Sequence, residues 1–124
     1  MRSYMYVSVS GEDRLAIFEI NDLNGRIHEV GEHEVLSQPY PLAVHPSGTH
    51  LYVGTACAQT SSLPSNPLSN DISTPVNKIS TFVIDPDSGQ ISLLGTVDID
   101  GDPCYFSVDK TGQYIFSAYY FDGK

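Results

Sequence analysis

The sequence has few basic residues. Its 124 residues include fifteen acidic side chains against six Lys and Arg, which gives a formal net charge of −9. Nucleic acids and anionic membrane surfaces bind clustered Lys and Arg, so this balance disfavours both as partners. Most of the acidic residues fall in turns, such as Asn21-Asp22 and Asp85-Pro86-Asp87, where solubility explains them.

Paired cysteines and long apolar runs are absent from the sequence. Its two cysteines, Cys57 and Cys104, lie 47 residues apart and lack the close spacing typical of zinc sites and redox dithiols. No segment approaches the roughly 18 apolar residues of a membrane helix, and no charged start precedes an apolar run at the N-terminus. We therefore expect a soluble cytoplasmic protein with reduced thiols.

Helical patterns are also missing, whereas strands and turns recur at a fixed distance. Residues 14–55 can be laid on residues 78–119 at a constant offset of 64, without a gap. The offset matches turn glycines, a strand-opening proline and strand-core apolar residues, among them Phe18 with Phe82, Gly25 with Gly89, Gly31 with Gly95, Pro39 with Pro103 and Gly48 with Gly112. Sheet geometry constrains these positions, so the repeat predicts a β-array.

The predicted strands are rich in β-branched and aromatic residues and are separated by turn residues. They cover residues 4–9, 15–20, 27–35, 41–45, 51–55, 79–84, 91–99, 103–108 and 114–120. Tyr4, His50 and Tyr114 begin equivalent strands, and the 46 residues from Tyr4 to His50 suit a four-stranded propeller blade of about 40–50 residues. Residues 58–75 are rich in Ser, Pro and Asn and are predicted as an inserted loop.

These patterns predict an all-β chain with a β-propeller architecture. One complete four-stranded blade is expected at 37–99, with the inserted loop inside it, and partial blades are expected at 1–36 and 100–124. The strand 41–45 is the predicted innermost strand of the complete blade. Partial blades leave strand edges and apolar faces uncovered, so we expect the 124 residues alone to be marginally stable and prone to association.

One face of the predicted propeller is the place to look for a site. In an up-and-down blade the second-to-third loop and the connection from the fourth strand to the next blade share a rim, so the insertion, residues 37–40 and residues 100–105 should lie together. The side chains predicted for this substrate face are Asp102, Cys104, Tyr105, Tyr119 and Tyr120. Three of them also have a structural interpretation: turn chemistry for Asp102, burial for Cys104 and wall packing for Tyr105.

The remaining polar candidates favour structural roles. His28 and His33 fall on the outermost strand and are predicted to be exposed, His45 is predicted to cap a turn, and His50 is predicted to lie on the surface at a strand head. Arg14 and Lys78 occupy equivalent loop exits, where they either face an anionic ligand or cap solvated strand ends. No Ser-His-Asp spacing, metal cluster or phosphate-binding glycine loop is present.

The order of motifs resembles the seven-bladed propeller lactonase family, whose best-known members are 6-phosphogluconolactonases. The residues that carry the resemblance are 45–53, 79–89, 102–112 and 117–120. The resemblance implies that the chain is the N-terminal third of such a propeller. It implies hydrolysis of 6-phospho-glucono-1,5-lactone, a small-molecule substrate, to 6-phosphogluconate in the pentose phosphate pathway, by a monomer without a metal or other cofactor.

The resemblance also places the catalytic residues mostly in later blades, so the 124 residues by themselves are expected to be inactive. Many relatives carry a His where this chain has Tyr105. Two alternatives stay open: a carboxymuconate-lactonizing isomerase of the same fold, and a non-catalytic propeller that binds a partner through its inserted loop. Fold alone does not separate them, because propellers support many functions.

Overall fold

The computed structural model describes residues 2–56, 77–120 and 123, so the predicted loop at 58–75 lies outside the described residues. The described part of the chain forms one short 3₁₀ helix, Ser10–Glu12, and strands β1 Ser3–Val9, β2 Arg14–Ile20, β3 Ile27–Glu34, β4 Pro39–Val44, β5 His50–Thr55, β6 Asn77–Ile84, β7 Ile91–Ile99, β8 Tyr105–Val108 and β9 Ile115–Ala118. No helix within those residues is long and apolar enough to cross a membrane. The all-β prediction is confirmed.

The strands form three antiparallel sheets with the orders β1-β2-β3, β4-β5-β6-β7 and β8-β9. Strand β4 lies beside both β1 and β8, so the three sheets stand next to one another along their inner edges. This is the predicted arrangement of one complete four-stranded blade and two partial blades. Chain order equals spatial order in the complete sheet, as successive hairpins require. The division at 1–36, 37–99 and 100–124 stays a prediction.

The internal repeat extends to an irregularity in strand pairing. Between β2 and β3 the register shifts between Ile17 and Phe18, and between β6 and β7 it shifts between Thr81 and Phe82. Both shifts lie at the same place under the 64-residue offset. A β-bulge of this kind bends the strand and increases its twist, so the two sheets carry the same local twist at equivalent positions.

The hairpin turns that follow β2 and β6 are also alike. Gly25 donates its backbone N–H to Asn21 O, and Gly89 donates its own to Asp85 O, each at 2.8 Å. The side-chain oxygens of Asn21 and Asp85 accept the N–H two residues further on, at 3.0 and 2.9 Å. Both glycines have positive φ, 69° and 70°, which L-residues adopt only at a cost. Turn chemistry thus explains why these residues repeat.

The core lies between the first two sheets. Strand β6 buries Ser80, Phe82 and Ile84 on one face and leaves the alternate residues more exposed, as the period of two requires. Phe82 and Ile84 pack with Leu15, Leu51 and Val53 in one cluster. Burying an apolar side chain of this size stabilises the fold by about 1.5–3 kcal/mol. This cluster joins β2 of the first sheet to β5 and β6 of the second.

Two tyrosines of β1 connect the first sheet to the second. Tyr4 donates its hydroxyl to Asp87 O at 2.7 Å, and Tyr6 donates its hydroxyl to Gly89 O at 2.8 Å. Burial, followed by the proximity of Tyr4, raises the pKa of Tyr6 to about 12. The Tyr6 hydroxyl therefore remains a hydrogen-bond donor to Gly89 O throughout the physiological pH range.

The second and third sheets approach each other at Gly54. A methyl group added at Gly54 would lie 2.6 Å from Pro41 Cγ and 2.8 Å from Phe106 Cζ. Phe106 is buried on β8 and therefore fills the space next to the glycine. The absence of a side chain at this position permits the close contact between β5 and the third sheet.

Candidate functional site

A cavity of about 530 Å³ lies where the three sheets meet. Its lining residues come from connections and strand ends on one rim: Ser10, Gln38, Tyr40, Ala56, Asp102, Pro103, Cys104 and Tyr120. They follow β1, flank the paired ends of β4 and β5, precede β8 and follow β9. Ligand-binding pockets are commonly of this size and often sit between structural units, so we treat this cavity as the candidate site.

Hydrogen bonds from the first and second sheets fix the main chain that carries two of the lining residues. Ala56 donates its N–H to Gln38 O at 3.0 Å, and the Ser37 hydroxyl donates to Ala56 O. The Ser8 hydroxyl of β1 donates to Tyr40 O at 3.0 Å. The main chain carrying Gln38 and Tyr40 is therefore fixed from two sheets, while their side chains border the cavity.

Asp102 sits in a segment that is anchored on both sides. Asn77 donates its side-chain N–H to Gly101 O at 2.6 Å. Gly101 itself has a φ of 132°, a region that strongly favours glycine. On the other side Pro103 is fully buried, and Cys104 donates its backbone N–H to Ala118 O at 2.9 Å. These contacts leave little freedom to the main chain that presents the Asp102 carboxylate.

Cys104 has a structural contact as well as a position at the cavity. Its thiol is free of a disulfide and half-buried, and it donates to Ala118 O at 3.3 Å. The same carbonyl accepts the backbone N–H of Cys104. The residue therefore ties the start of β8 to the end of β9 while one side of it lines the cavity.

The structure brings three of the five predicted candidates together. Asp102, Cys104 and Tyr120 line the cavity. Tyr105 and Tyr119 do not belong to the lining; Tyr105 is 65% exposed on β8, where it alternates with the buried Phe106. Their part in a substrate face stays a prediction.

Ser10, Gln38 and Tyr40 were not predicted as site residues. Gln38 and Tyr40 belong to the segment 37–40 that was expected on this face, but neither was singled out. Ser10 lies in the connection between β1 and β2, which occupies the second-to-third loop position of its own partial blade. In an up-and-down blade every second-to-third loop lies on this rim, and this holds for the loop that contains Ser10 as well as for the insertion. The predicted topology was therefore sufficient to place Ser10 near the site.

The four histidines lie outside the cavity lining. His28 is exposed, as predicted, but the same expectation for His33 is wrong: its ring is half-buried and packs edge-to-face on Phe82 at a centroid distance of 5.0 Å. This contact with the neighbouring sheet was not visible in the alternating polar sequence of β3. His45 caps its turn as predicted, because its Nδ1 accepts the Ser47 N–H at 3.1 Å, and His50 begins β5.

Two basic residues at the predicted loop exits are already paired with acidic side chains. Arg14 lies 2.5 Å from Glu12, 3.4 Å from Glu29 and 3.5 Å from Glu32, and the hydrogen bond that it donates to Glu12 raises the pKa of the guanidinium most. Lys78 pairs with Asp98. These contacts favour the interpretation that both residues cap strand ends. No group of three His, Cys, Asp or Glu side chains in the described ranges is arranged to hold a metal ion.

The sequence and the fold were compared with those of known proteins. The profile of the family described as "Lactonase, 7-bladed beta-propeller" matches residues 37–124, which is more than half of the chain. The chain belongs to this family. The suspected resemblance and the propeller fold are thereby confirmed.

The individual relatives share less than a third of their aligned residues with this chain. A 6-phosphogluconolactonase of Serratia proteamaculans is 28% identical over 120 residues, covering 97% of this chain and 30% of the relative. A 6-phosphogluconolactonase of Klebsiella pneumoniae is 23% identical over 123 residues, covering 99% of this chain and 31% of the relative. The chain thus spans about a third of the length of the curated relatives it matches.

Solved structures show the same fold. A candidate 6-phosphogluconolactonase of Bacteroides fragilis superposes with a TM-score of 0.74 at 15% identity, over 96% of this chain and 29% of that one. A periplasmic gluconolactonase of Pseudomonas aeruginosa superposes with a TM-score of 0.71 at 18% identity, over 94% of this chain and 30% of that one. At these identities the likeness establishes the architecture alone.

Proposed function

We propose that the protein is a lactone hydrolase of the 6-phosphogluconolactonase type. The observation that carries the proposal is the family match over residues 37–124, together with a cavity at the junction of three sheets. The relatives named above support the sugar-lactone substrate class. The reaction is hydrolysis of 6-phospho-glucono-1,5-lactone to 6-phosphogluconate, a step of the pentose phosphate pathway.

The chemistry requires three kinds of group. Water attacks the lactone carbonyl carbon, the bond from that carbon to the ring oxygen breaks, and the ring oxygen takes a proton as the acid forms. A base must accept the proton of the water, and donors must stabilise the oxyanion. A phosphate on the substrate also calls for Arg or Lys. Asp102, Tyr40 and Tyr120 supply a carboxylate and hydroxyls to the cavity.

Histidine, lysine and arginine are absent from the described lining of the cavity. We therefore place the catalytic base and the phosphate-binding cations of the enzyme outside the residues described here. Asp102, Cys104 and Tyr120 then form part of the substrate wall. Tyr105 and Tyr119 remain candidates at its margin. The 124-residue polypeptide by itself is accordingly proposed to be inactive.

The proposal further assigns the enzyme to the cytoplasm as a monomer that needs no cofactor. The basis for the location is the sequence, whose two cysteines lack the spacing of a disulfide framework or redox pair. Lactone opening by water is possible with acid, base and hydrogen-bond donors alone, which supports cofactor-free chemistry. Cell fractionation tests the location, and light scattering of the full-length protein tests the monomeric state.

The deciding experiment measures lactone consumption by full-length protein at neutral pH. Sugar lactones open spontaneously in water, so the rate must exceed that of an enzyme-free blank and must scale with protein concentration. We expect 6-phospho-glucono-1,5-lactone to be consumed faster than the blank. Treatment with a chelator, dialysis and repetition of the assay test whether a metal takes part.

Two results would redirect the proposal. A rate equal to the blank for every lactone would remove the hydrolase assignment and favour a binding module. Cyclisation of carboxymuconate without lactone hydrolysis would favour the lactonizing isomerase. The 124-residue polypeptide assayed beside the full-length protein should match the blank.

A further inference from the structure

The charges around the cavity differ from those that a phosphate requires. Asp102 is the charged residue in the described lining, and it is acidic. Of the basic residues, Arg14, Lys78 and Arg2 are held by acidic partners elsewhere on the sheets. A phosphate brought to this wall would meet a carboxylate of the same sign, without a compensating cation among the described residues.

The uncharged side chains that line the cavity suit the hydroxylated ring of a sugar lactone. We call these side chains together with Asp102 the wall of the cavity. Ser10, Tyr40 and Tyr120 carry hydroxyls, and Gln38 carries an amide with both donor and acceptor capacity. Sugar hydroxyls both donate and accept, and a carboxylate accepts from two of them at once. Tyrosine rings also offer an apolar surface to the C–H groups of a sugar ring.

The wall is preorganised for such contacts. The main chain next to Asp102 is fixed by the hydrogen bond from Asn77 to Gly101 O and by burial of Pro103. No hydrogen bond or ion pair to another described residue engages the Asp102 carboxylate itself. A carboxylate with an anchored backbone and free oxygens bordering a cavity can accept hydrogen bonds from a ligand with little loss of conformational entropy.

We propose that Asp102 is a specificity-determining residue: it accepts hydrogen bonds from the hydroxyls of an uncharged cyclic polyol, so that this wall binds the sugar ring of a lactone and directs its phosphate elsewhere. The proposal rests on the lactone hydrolase function for its biological ligand. The chemistry it assigns to the cavity, recognition of a neutral polyol ring, is testable without any turnover.

The first test is binding of 1,5-anhydro-D-glucitol to full-length protein, measured by ligand-observed NMR titration. This probe has the hydroxylated ring but no ester to hydrolyse. We expect it to bind, and we expect inorganic phosphate not to displace it. Asp102→Asn should weaken binding about tenfold, the loss typical of one hydrogen bond to a charged group. Asp100→Asn is the matched control. It removes the same charge two residues before Asp102, and the Asp100 side chain does not line the cavity.

A second variant guards against a folding defect of Asp102→Asn. Tyr40→Phe removes a hydroxyl from another lining residue and should also weaken binding of the probe. Overlaid circular dichroism spectra of all variants show whether the fold persists. Absence of probe binding by wild-type protein, displacement of the probe by phosphate, or equal weakening by Asp100→Asn would each overturn the proposal.

The kinetic test separates this inference from the proposed function. If both phosphorylated and unphosphorylated gluconolactone are hydrolysed, Asp102→Asn should raise KM for both, because they share the ring. A fall in KM for the phosphorylated lactone alone would show that the phosphate faces Asp102 and would overturn the inference. If no lactone is hydrolysed, the hydrolase assignment fails, while the probe titration still decides whether Asp102 recognises a polyol.

Discussion

Single residues at the turns carry much of the structural information in this chain. His45 and Asp109 occupy equivalent positions under the 64-residue offset, and each accepts the backbone N–H two residues further on, at 3.1 Å in both turns. An imidazole nitrogen and a carboxylate oxygen thus perform the same capping. A turn cap of this kind requires only a side-chain atom placed to accept the backbone N–H two residues further on. The residue type can therefore change while the turn is kept.

Gly112 should tolerate substitution poorly for two separate reasons. Its φ is 74°, and a methyl group there would lie 2.0 Å from His45 Nε2. We expect Gly112→Ala to lower the melting temperature more than Gly25→Ala does. Gly25 has a φ of 69° but no atom within 4 Å of an added methyl group, so that variant carries only the backbone cost, about 1 kcal/mol.

A double-mutant cycle isolates the steric part of this effect. His45→Ala removes the ring that the new methyl group would meet, so His45→Ala should cost less stability in the Gly112→Ala background than in the wild type. Additive losses would show that the imidazole moves away freely, and that backbone conformation alone explains the sensitivity of Gly112.

Asp109 should contribute to stability in a pH-dependent way. The Thr111 hydroxyl, followed by the Tyr114 N–H, holds the pKa of this carboxyl below its ordinary value of 3.8. A lowered folded-state pKa means that the contribution is complete above the unfolded-state value and is lost as pH falls through the lower folded-state value. Asp109→Asn should therefore be less stable than wild type near pH 7, and the difference should shrink below pH 3.8.

Melting temperatures of wild type and Asp109→Asn between pH 7 and pH 3 provide the measurement. Asp22→Asn, the same substitution at an exposed turn position, is measured beside it as the control. A gap between Asp109→Asn and wild type that widens toward acid pH would contradict the sign of the linkage.

At the scale of strands, the contacts between neighbouring sheets depend on close backbone approach. Gly54→Ala introduces a methyl group 2.6 Å from Pro41 and 2.8 Å from Phe106, both of which are buried. We expect the substitution to reduce the free energy of unfolding by about 1–3 kcal/mol, the usual range for overpacking a close-packed contact. Chemical denaturation of full-length protein, with the melting temperature as a second readout, measures the loss.

Gly95→Ala is the matched control for this strand substitution. Gly95 also lies within a strand, but an added methyl group there meets no atom within 4 Å. Its replacement should change stability by a small fraction of the Gly54→Ala effect. Equal losses for the two variants would mean that strand conformation, and not contact with the third sheet, makes Gly54 sensitive.

At the scale of the whole molecule, the 124 residues expose apolar surface. Leu94 is 64% exposed, Val97 65% and Phe116 62%, all within strands. Apolar strand residues in the open favour pairing with other chains. We therefore expect the 124-residue polypeptide, expressed alone, to associate in a concentration-dependent way, as size-exclusion chromatography with light scattering would show.

Charged substitutions test whether this apolar surface causes the association. Val97→Lys should reduce the apparent mass, whereas Leu23→Lys should leave it unchanged, since Leu23 is 98% exposed but stands on a turn. A monomer at every concentration, with a sharp unfolding transition, would contradict the expectation.

The sequence by itself determined the strands, their order and the equivalence of the blades. Hairpin turns are decided within a few residues: Gly25 and Gly89 supply positive φ, and Asn21 and Asp85 supply the capping oxygens. Such contacts are local, so they can be recognised without knowledge of distant parts of the chain. The constant offset of 64 residues then showed that these hairpins repeat, and this repeat predicted the propeller.

Tertiary structure decided which residues of the predicted rim line the cavity, and which polar side chains become buried between sheets. Ser10, Gln38 and Asp102 meet there although they are far apart in sequence, because three sheets bring their rims together. His33 lies in a polar strand yet packs on Phe82 of the next sheet. Contacts between sheets depend on twist, bulges and the sizes of facing side chains, which no single segment encodes.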